Sequence, residues 1–312
     1  MNYHFLQSEE WQSFNKALGE KTVRVKEKDF EYLAIVKPSK LGNYLYLPYG
    51  PLLDEKSKIS SLESALKSLK TLAKTENAFF IRVEPTPFID SQKMKELGFK
   101  KSKDLEPADT WALDLTPEKS EILTNFSQGT RTRFNTFVKK GVSVLKTKDP
   151  KFIKDLVDFQ KSLSHEKKIG VFSEKYLKTE LEQPFATLYV ALFEEKPISA
   201  SLFFDDEKTK TRFYMQSGTD PEFRKLPATV AILTTALFDA KENGFKTFDF
   251  WGIAPENAKK DHPWIGFTEF KKSFGGFPIH YTGTYDYPLS QPKYKLYKSL
   301  RKANRIKRKL KR

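Results

Sequence analysis

Two strands, a helix and a returning strand occur twice in this chain, roughly 170 residues apart, and the repeat limits the fold more than any other feature. In the first copy Tyr32 to Lys37 and Asn43 to Pro48 read as short strands. Leu62, Ala65, Leu66, Leu69, Leu72 and Ala73 then recur at helical spacing, and Ala78 to Val83 returns as a strand. Ser60-Ser61-Leu62-Glu63 offers a capping box for that helix. In the second copy Leu188 to Phe193, Ile198 to Phe204 and Thr211 to Ser217 read as strands. Ala228 to Lys241 is helical, Gly244 stops it, and Thr247 to Trp251 is the returning strand. Tyr46 corresponds to Tyr214, and Phe79 to Phe248. The expected class is α/β, with a mixed sheet and flanking helices in each of two units.

Between the copies, Phe134, Phe137 and Val138 have helical spacing and Gly141 marks the stop, which predicts a helix within Asn125 to Gly141. Its basic residues, Arg131 and Arg133 with Lys139 and Lys140, form either a solvated face or a phosphate contact. Further helices are expected from Phe152 to about Leu163 and from about Glu174 to Leu181.

A length of 312 residues accommodates two domains with cores of their own, and 38% apolar content with 14% aromatic argues for globular structure. With no Cys, disulfides, thiolate zinc sites and a cysteine nucleophile are excluded together. His4, His165, His262 and His280 are scattered without ligand spacing, so no metal site is expected. The N-terminus has neither the basic start nor the apolar core of a secretory signal, and no apolar run reaches spanning length. A soluble cytoplasmic protein is expected.

The formal charge of +15 is concentrated at the end of the chain, where Lys293 to Arg312 holds eleven Lys or Arg and no acid. Arg301, Arg305, Lys307 and Arg308 in this stretch suit phosphates of RNA or of anionic lipid, without reading sequence. A basic helix end that only confers solubility is the plainer alternative.

Within Tyr214 to Gly276 a strand ends in Asp249-Phe250-Trp251-Gly252-Ile253, and Phe267-Thr268-Glu269-Phe270-Lys271-Lys272 follows a polar loop. A lysine among aromatic residues keeps a strong field because water is partly excluded, which suits an acyl-transfer oxyanion. Lys271 is the candidate, against the reading that it is a surface lysine beside Lys272.

The order Tyr46-Leu47-Pro48-Tyr49-Gly50-Pro51, Arg82-Val83-Glu84-Pro85, Arg131 to Val144, Tyr214 to Gly218, Asp249 to Ile253 and Phe270-Lys271 resembles the Fem family (FemABX) of peptidoglycan bridge-forming aminoacyltransferases. The resemblance implies two tandem GNAT-like domains, placed at residues 1–113 completed by 284–312, and at 114–283. It implies transfer of an amino acid from aminoacyl-tRNA to an amine on the stem peptide of a peptidoglycan precursor, nucleotide- or lipid-linked. Aminoacyl-tRNA is then a co-substrate and no other cofactor is implied. A monomer is expected, with peripheral contact at the cytoplasmic membrane face. No heptad insertion is visible, so the chain looks like the compact form that lacks a coiled-coil arm.

Residue by residue, the resemblance places the functional pair on Phe270 and Lys271. It places an acidic position on Glu84, which would act as a base if burial raised its pKa; an ion pair with Arg82 or a substrate-orienting contact are the alternatives. Lys16 meets the diphosphate lysine with a shift of one position, whereas the family's second diphosphate residue, an arginine, falls near Phe172, with Lys167, Lys168 and Lys175 close by. Tyr49 stands where a basic residue often precedes Gly-Pro. Tyr176, Tyr214 and Trp251 are candidates for a substrate channel or for core.

An acyltransferase of GNAT type that uses acyl-CoA is the competing class. Its pyrophosphate loop would fall on Arg224-Lys225-Leu226-Pro227-Ala228-Thr229, where Pro227 lacks an N–H and Thr229 adds bulk. A non-catalytic binding protein is the third.

Overall fold

A computed structural model describes the backbone of residues 3–86, 88–167 and 170–310, with side chains over 3–86, 88–162 and 170–303. Its contacts separate into two units, Met1–Ala108 with Tyr281–Arg312, and Asp109–His280.

The first repeat runs α1 (Glu9–Ala17), β1 (Lys21–Lys26), β2 (Phe30–Ser39), β3 (Gly42–Leu47), β4 (Leu52–Leu53) and α2 (Lys58–Thr75). It continues through β5 (Ala78–Val83), α3 (Ser91–Glu96), β6 (Lys100–Lys101) and β7 (Asp109–Asp114). β3 and β5 are parallel, so α2 is the crossover between them. α2 sits on the sheet because Leu62, Ala65, Leu66, Leu69 and Ala73 form one buried stripe against β2, β3 and β5. It begins earlier than the capping box suggests. Ser60 lies in its first turn and donates to the Ser57 carbonyl at 3.0 Å, while Ser57 bonds the Asp54 carboxylate through both its N–H and its hydroxyl. The chain before the helix is therefore held by an Asp-Ser turn, and Glu63 caps nothing.

The second repeat begins with α4 (Lys119–Thr124), α5 (Gln128–Thr136), β8 (Val142–Thr147), α6 (Ile153–Lys167) and α7 (Glu174–Leu181). A short 3-10 turn after α5 ends at Gly141, whose φ of 75° is the left-handed conformation expected of a helix stop. Then come β9 (Ala186–Phe193), β10 (Lys196–Asp206), β11 (Thr211–Thr219), α8 (Ala228–Glu242) and β12 (Thr247–Gly252). α9 (Ile265–Lys272), β13 (Phe277–His280), β14 (Tyr285–Pro288) and α10 (Gln291–Leu310) complete the chain. α8 is apolar on nearly every side and joins the parallel pair β11 and β12, as α2 joins β3 and β5.

The sheets have the orders β1-β2-β3-β5-β14-β6, with β4 on β2, and β13-β7-β12-β11-β10-β9-β8. β14 is antiparallel to β5, and β7 is antiparallel to β12. The last strand of each repeat thus completes the sheet of the other. This corrects the expected boundary: the strand before Leu115 belongs to the second sheet, so the first unit ends at Ala108, not at residue 113. The closing segment joins the first unit from Tyr281 on, slightly ahead of the expected 284. Arg82 on β5 and Asp286 on β14 fasten that exchange with two bonds of 2.7 and 2.9 Å, both residues essentially without solvent exposure.

Candidate active site

In the second unit the end of β12 is distorted in a defined way. Its pairing with β7 slips between Asp249 and Gly252, and Trp251 takes φ 65°, a conformation that a bulky side chain adopts only under constraint. The constraint is Asp249, whose Oδ1 accepts the Trp251 N–H at 2.6 Å while Oδ2 accepts the Thr110 hydroxyl at 3.0 Å. Lys271, in the last turn of α9, donates Nζ to the carbonyl oxygen of Gly252. Thr268 on the same helix accepts the Ala254 N–H at 2.8 Å, a second tie between α9 and the strand end.

Lys271 is therefore partly buried over β12, unlike its exposed neighbour Lys272. Burial lowers its pKa to about 8, and the Asp249 carboxylate works against that fall. Asp249 is itself pushed up to about 6 by burial, a rise opposed by the Trp251 N–H, the Thr110 hydroxyl and the Lys271 charge. The lysine remains protonated at neutral pH, and Gly252 occupies one of its three N–H donors. Phe270 lies edge-on to Phe274 at 5.4 Å and packs on the core beside the lysine. The glycines after α9 are required by the turn: at Gly276, φ 99°, an added Cβ would lie 2.1 Å from the Ala112 carbonyl oxygen.

Tyr214 and Trp251 belong to the same unit. Trp251 meets Phe213 edge-on at 5.7 Å, and Tyr214 stacks on Phe203 with its hydroxyl bonded to Ser201 and Ser217. Both are only partly buried, so each has a packed side and an open side. Tyr176 stacks on the exposed Phe172 at 4.7 Å, at the start of α7.

In the first unit the acidic position forms a different centre. Glu84 is 2% exposed. Its Oε2 accepts from Tyr46 at 3.0 Å and from the Tyr49 N–H at 3.4 Å; its Oε1 accepts from the Glu106 N–H at 3.2 Å and from the Thr284 hydroxyl. A carboxylate has about four lone-pair positions, so none is left for a substrate amine. Burial does raise the Glu84 pKa, as the base reading requires, but the saturated geometry makes it a packing hub. The alternative pairing with Arg82 is also corrected, because that guanidinium binds Asp286. The more open carboxylate here is Glu106, held up at about 8 by burial and by the neighbouring Glu84 charge.

Tyr49, expected to contact substrate, is buried: it stacks on His4 at 3.8 Å and donates to the Pro107 carbonyl at 2.7 Å. Lys16 is exposed on α1. Arg131 is partly exposed and its Nη1 donates to the carbonyls of Thr124 and Phe126, whereas Arg133 is exposed. Arg301 is exposed on α10 and donates to the Tyr297 hydroxyl. The side chains of Arg305, Lys307, Arg308 and Lys167, and Lys168 as a whole, lie outside the described residues. Among the described residues no group of three or more His, Cys, Asp or Glu could hold a metal ion.

Sequence reading gave no role to Asp249, Thr110, Glu106 or Thr284. Asp249 carried a signal, an acid inside the apolar run Phe248 to Trp251; Glu106 and Thr284 sit in loops and carried none. At the α8 N-terminus, where a CoA pyrophosphate would lie, Pro227 is the cap and the Thr229 hydroxyl is engaged with Thr219 at 3.0 Å.

One family model matches most of the chain. The profile described as FemAB family matches residues 1–105 and 145–302. The chain is similar to a lipid II:glycine glycyltransferase of Staphylococcus aureus (strain USA300), 24% identical, with 86% of this chain and 83% of the relative covered. Among solved structures FemX superimposes with a TM-score of 0.78 at 20% identity, covering 95% of this chain and 94% of that one. A tandem GNAT protein from the clavulanic acid biosynthesis pathway gives 0.55 at 11% identity, over 84% and 79%. Both are likenesses of fold, and they agree with two GNAT-like domains.

Proposed function

Because this chain belongs to the FemAB family, we propose that it is an aminoacyltransferase, moving an amino acid from aminoacyl-tRNA to an amine on the stem peptide of a peptidoglycan precursor. The observation that carries the reading is the charged, partly buried Lys271 fixed over the end of β12 by the Gly252 carbonyl and sustained by Asp249. Similarity to a lipid II:glycine glycyltransferase supports the acceptor class.

The neutral amine attacks the ester carbonyl carbon, and the carbonyl π electrons move to oxygen. The Lys271 N–H groups not used by Gly252 stabilise that oxyanion as it forms. Collapse restores the C=O bond and expels the ribose oxygen, which takes a proton, while the former amine loses one to become the new amide. The field at Lys271 is strong because the lysine is partly withdrawn from water, and it costs no reorganisation because α9 and β12 already hold it. Acyl-CoA suits this chain less well, since Pro227 removes an N–H where a pyrophosphate needs donors.

The test is purified protein with charged tRNA and either nucleotide-linked or lipid-linked precursor, with and without RNase. RNase-sensitive labelling of the stem peptide is expected. Labelling from acyl-CoA, or binding of RNA with no transfer from any charged tRNA to either acceptor, would overturn the reading.

A further inference from the structure

The C-terminal helix joins two features that a single partner would satisfy. Over its described side chains α10 rests on the first unit along one edge, through the buried Tyr294 and Tyr297, whose rings pack on Phe80 at 5.4 and 5.0 Å. Tyr294 also donates to Asp286 at 2.8 Å, and Lys298 reaches Ser102 at 3.4 Å. From Gln291 to Ala303 every other residue is exposed.

About a third of a turn round the helix from those tyrosines stand Leu296, 50% exposed, and Leu300, 42% exposed, one turn apart and therefore adjacent. Lys293 lies beside the pair, and Lys295 and Lys302 lie on its other side beyond Ala303 and Ser299, all exposed, and α10 contains no acid. Single exposed leucines need no explanation. An exposed leucine pair with small residues beside it and lysines further round on either side, on a helix with nothing packed over it among the described residues, is the pattern of a helix that lies in a lipid interface.

We propose that α10 is a membrane-surface element, with Leu296 and Leu300 entering the interface of an anionic bilayer and Lys293, Lys295 and Lys302 pairing with its phosphate head groups. RNA offers the same phosphates but leaves both leucines in water; anionic lipid takes both features. None of the described helices is long and apolar enough to cross a membrane, so the contact is peripheral. The inference stands on α10 alone and does not require the proposed reaction.

The full chain is tested by co-sedimentation with vesicles of phosphatidylcholine alone and of phosphatidylcholine with phosphatidylglycerol, and separately for binding to uncharged tRNA. Binding to the anionic vesicles and little to the neutral ones is expected. The double change Leu296→Gln with Leu300→Gln keeps every charge and both docking tyrosines. It should weaken vesicle binding roughly tenfold or more and leave tRNA binding unchanged. Lys293→Gln with Lys295→Gln and Lys302→Gln should weaken vesicle binding to a similar degree and reduce its salt dependence. Circular dichroism confirms folding of each variant. The proposal is overturned if the chain ignores anionic vesicles, if the leucine changes leave binding intact, or if the lysine changes impair only tRNA binding.

Discussion

Lys271 Nζ donates to the carbonyl oxygen of Gly252, so the cation on α9 is tied to the strand end that Asp249 and the left-handed Trp251 shape. The bond fixes where the charge stands, and burial fixes what the charge costs.

That cost gives the first prediction. The pKa of Lys271 is depressed from 10.5 to about 8, so its contribution to stability is full above 10.5 and is lost as pH falls through about 8. At pH 7 the charged side chain works against folding. Lys271→Met should leave the melting temperature at pH 7 unchanged or raise it, by up to about 1–2 kcal/mol of stability. Single-turnover transfer should fall on the order of 100- to 1,000-fold. A variant that folds normally and transfers at the parent rate would remove Lys271 from the chemistry.

The second concerns pH and rate. If the charged lysine stabilises the oxyanion, transfer should decline as pH rises through about 8. Asp249→Asn removes the charge that supports the ammonium, so the decline should begin at lower pH. Lys271→Arg, charged throughout, should lack it even where its rate is reduced. Coincident profiles for parent and Asp249→Asn would separate the aspartate from the lysine.

Glu106 supplies a prediction about stability alone. Its pKa is raised from 4.5 to about 8, so the stability it contributes is full below 4.5 and disappears as pH rises through about 8. Glu106→Gln should match the parent in thermal melts near pH 4 and exceed it near pH 8.5. Glu84→Gln should behave in the opposite sense, losing about 1–3 kcal/mol because it disturbs four bonds at once. Equal melting temperatures for parent and Glu106→Gln across this range would mean that the pair shares no electrostatic strain.

The exchanged strand supplies the last. Asp286→Ala strands the Arg82 guanidinium among Tyr44 and Phe80 and frees the Tyr294 hydroxyl. A loss of about 3–5 kcal/mol is expected, read from the urea midpoint of the first transition. A loss below about 1 kcal/mol would show that β14 does not depend on the pair.

Much of the architecture was legible because periodicity survives in local sequence. The apolar stripe of α2, the apolar α8 and the strands around each parallel pair all appear where alternation and helical spacing place them. Ser60 misled because Ser and Glu three residues apart satisfy the capping pattern whether or not the chain turns there; the Asp54 turn decided the start. Glu84 was legible as an acid at a strand end, but nothing local reveals that Tyr46, Glu106 and Thr284 converge on it. The ties of Arg131 were not legible because its partners are carbonyls, which every residue carries.

By itself the sequence determined a duplicated α/β chain, a basic acid-free C-terminus and a lysine among aromatic residues after the second returning strand. These are properties of composition and of spacing along one segment. Only the tertiary structure decided which sheet β7 and β14 complete, that Asp249 sustains the Lys271 charge, that Glu84 is saturated, and that Leu296 and Leu300 stay exposed. Each of those depends on groups distant in sequence meeting in space, where burial and hydrogen bonding set their charge and availability.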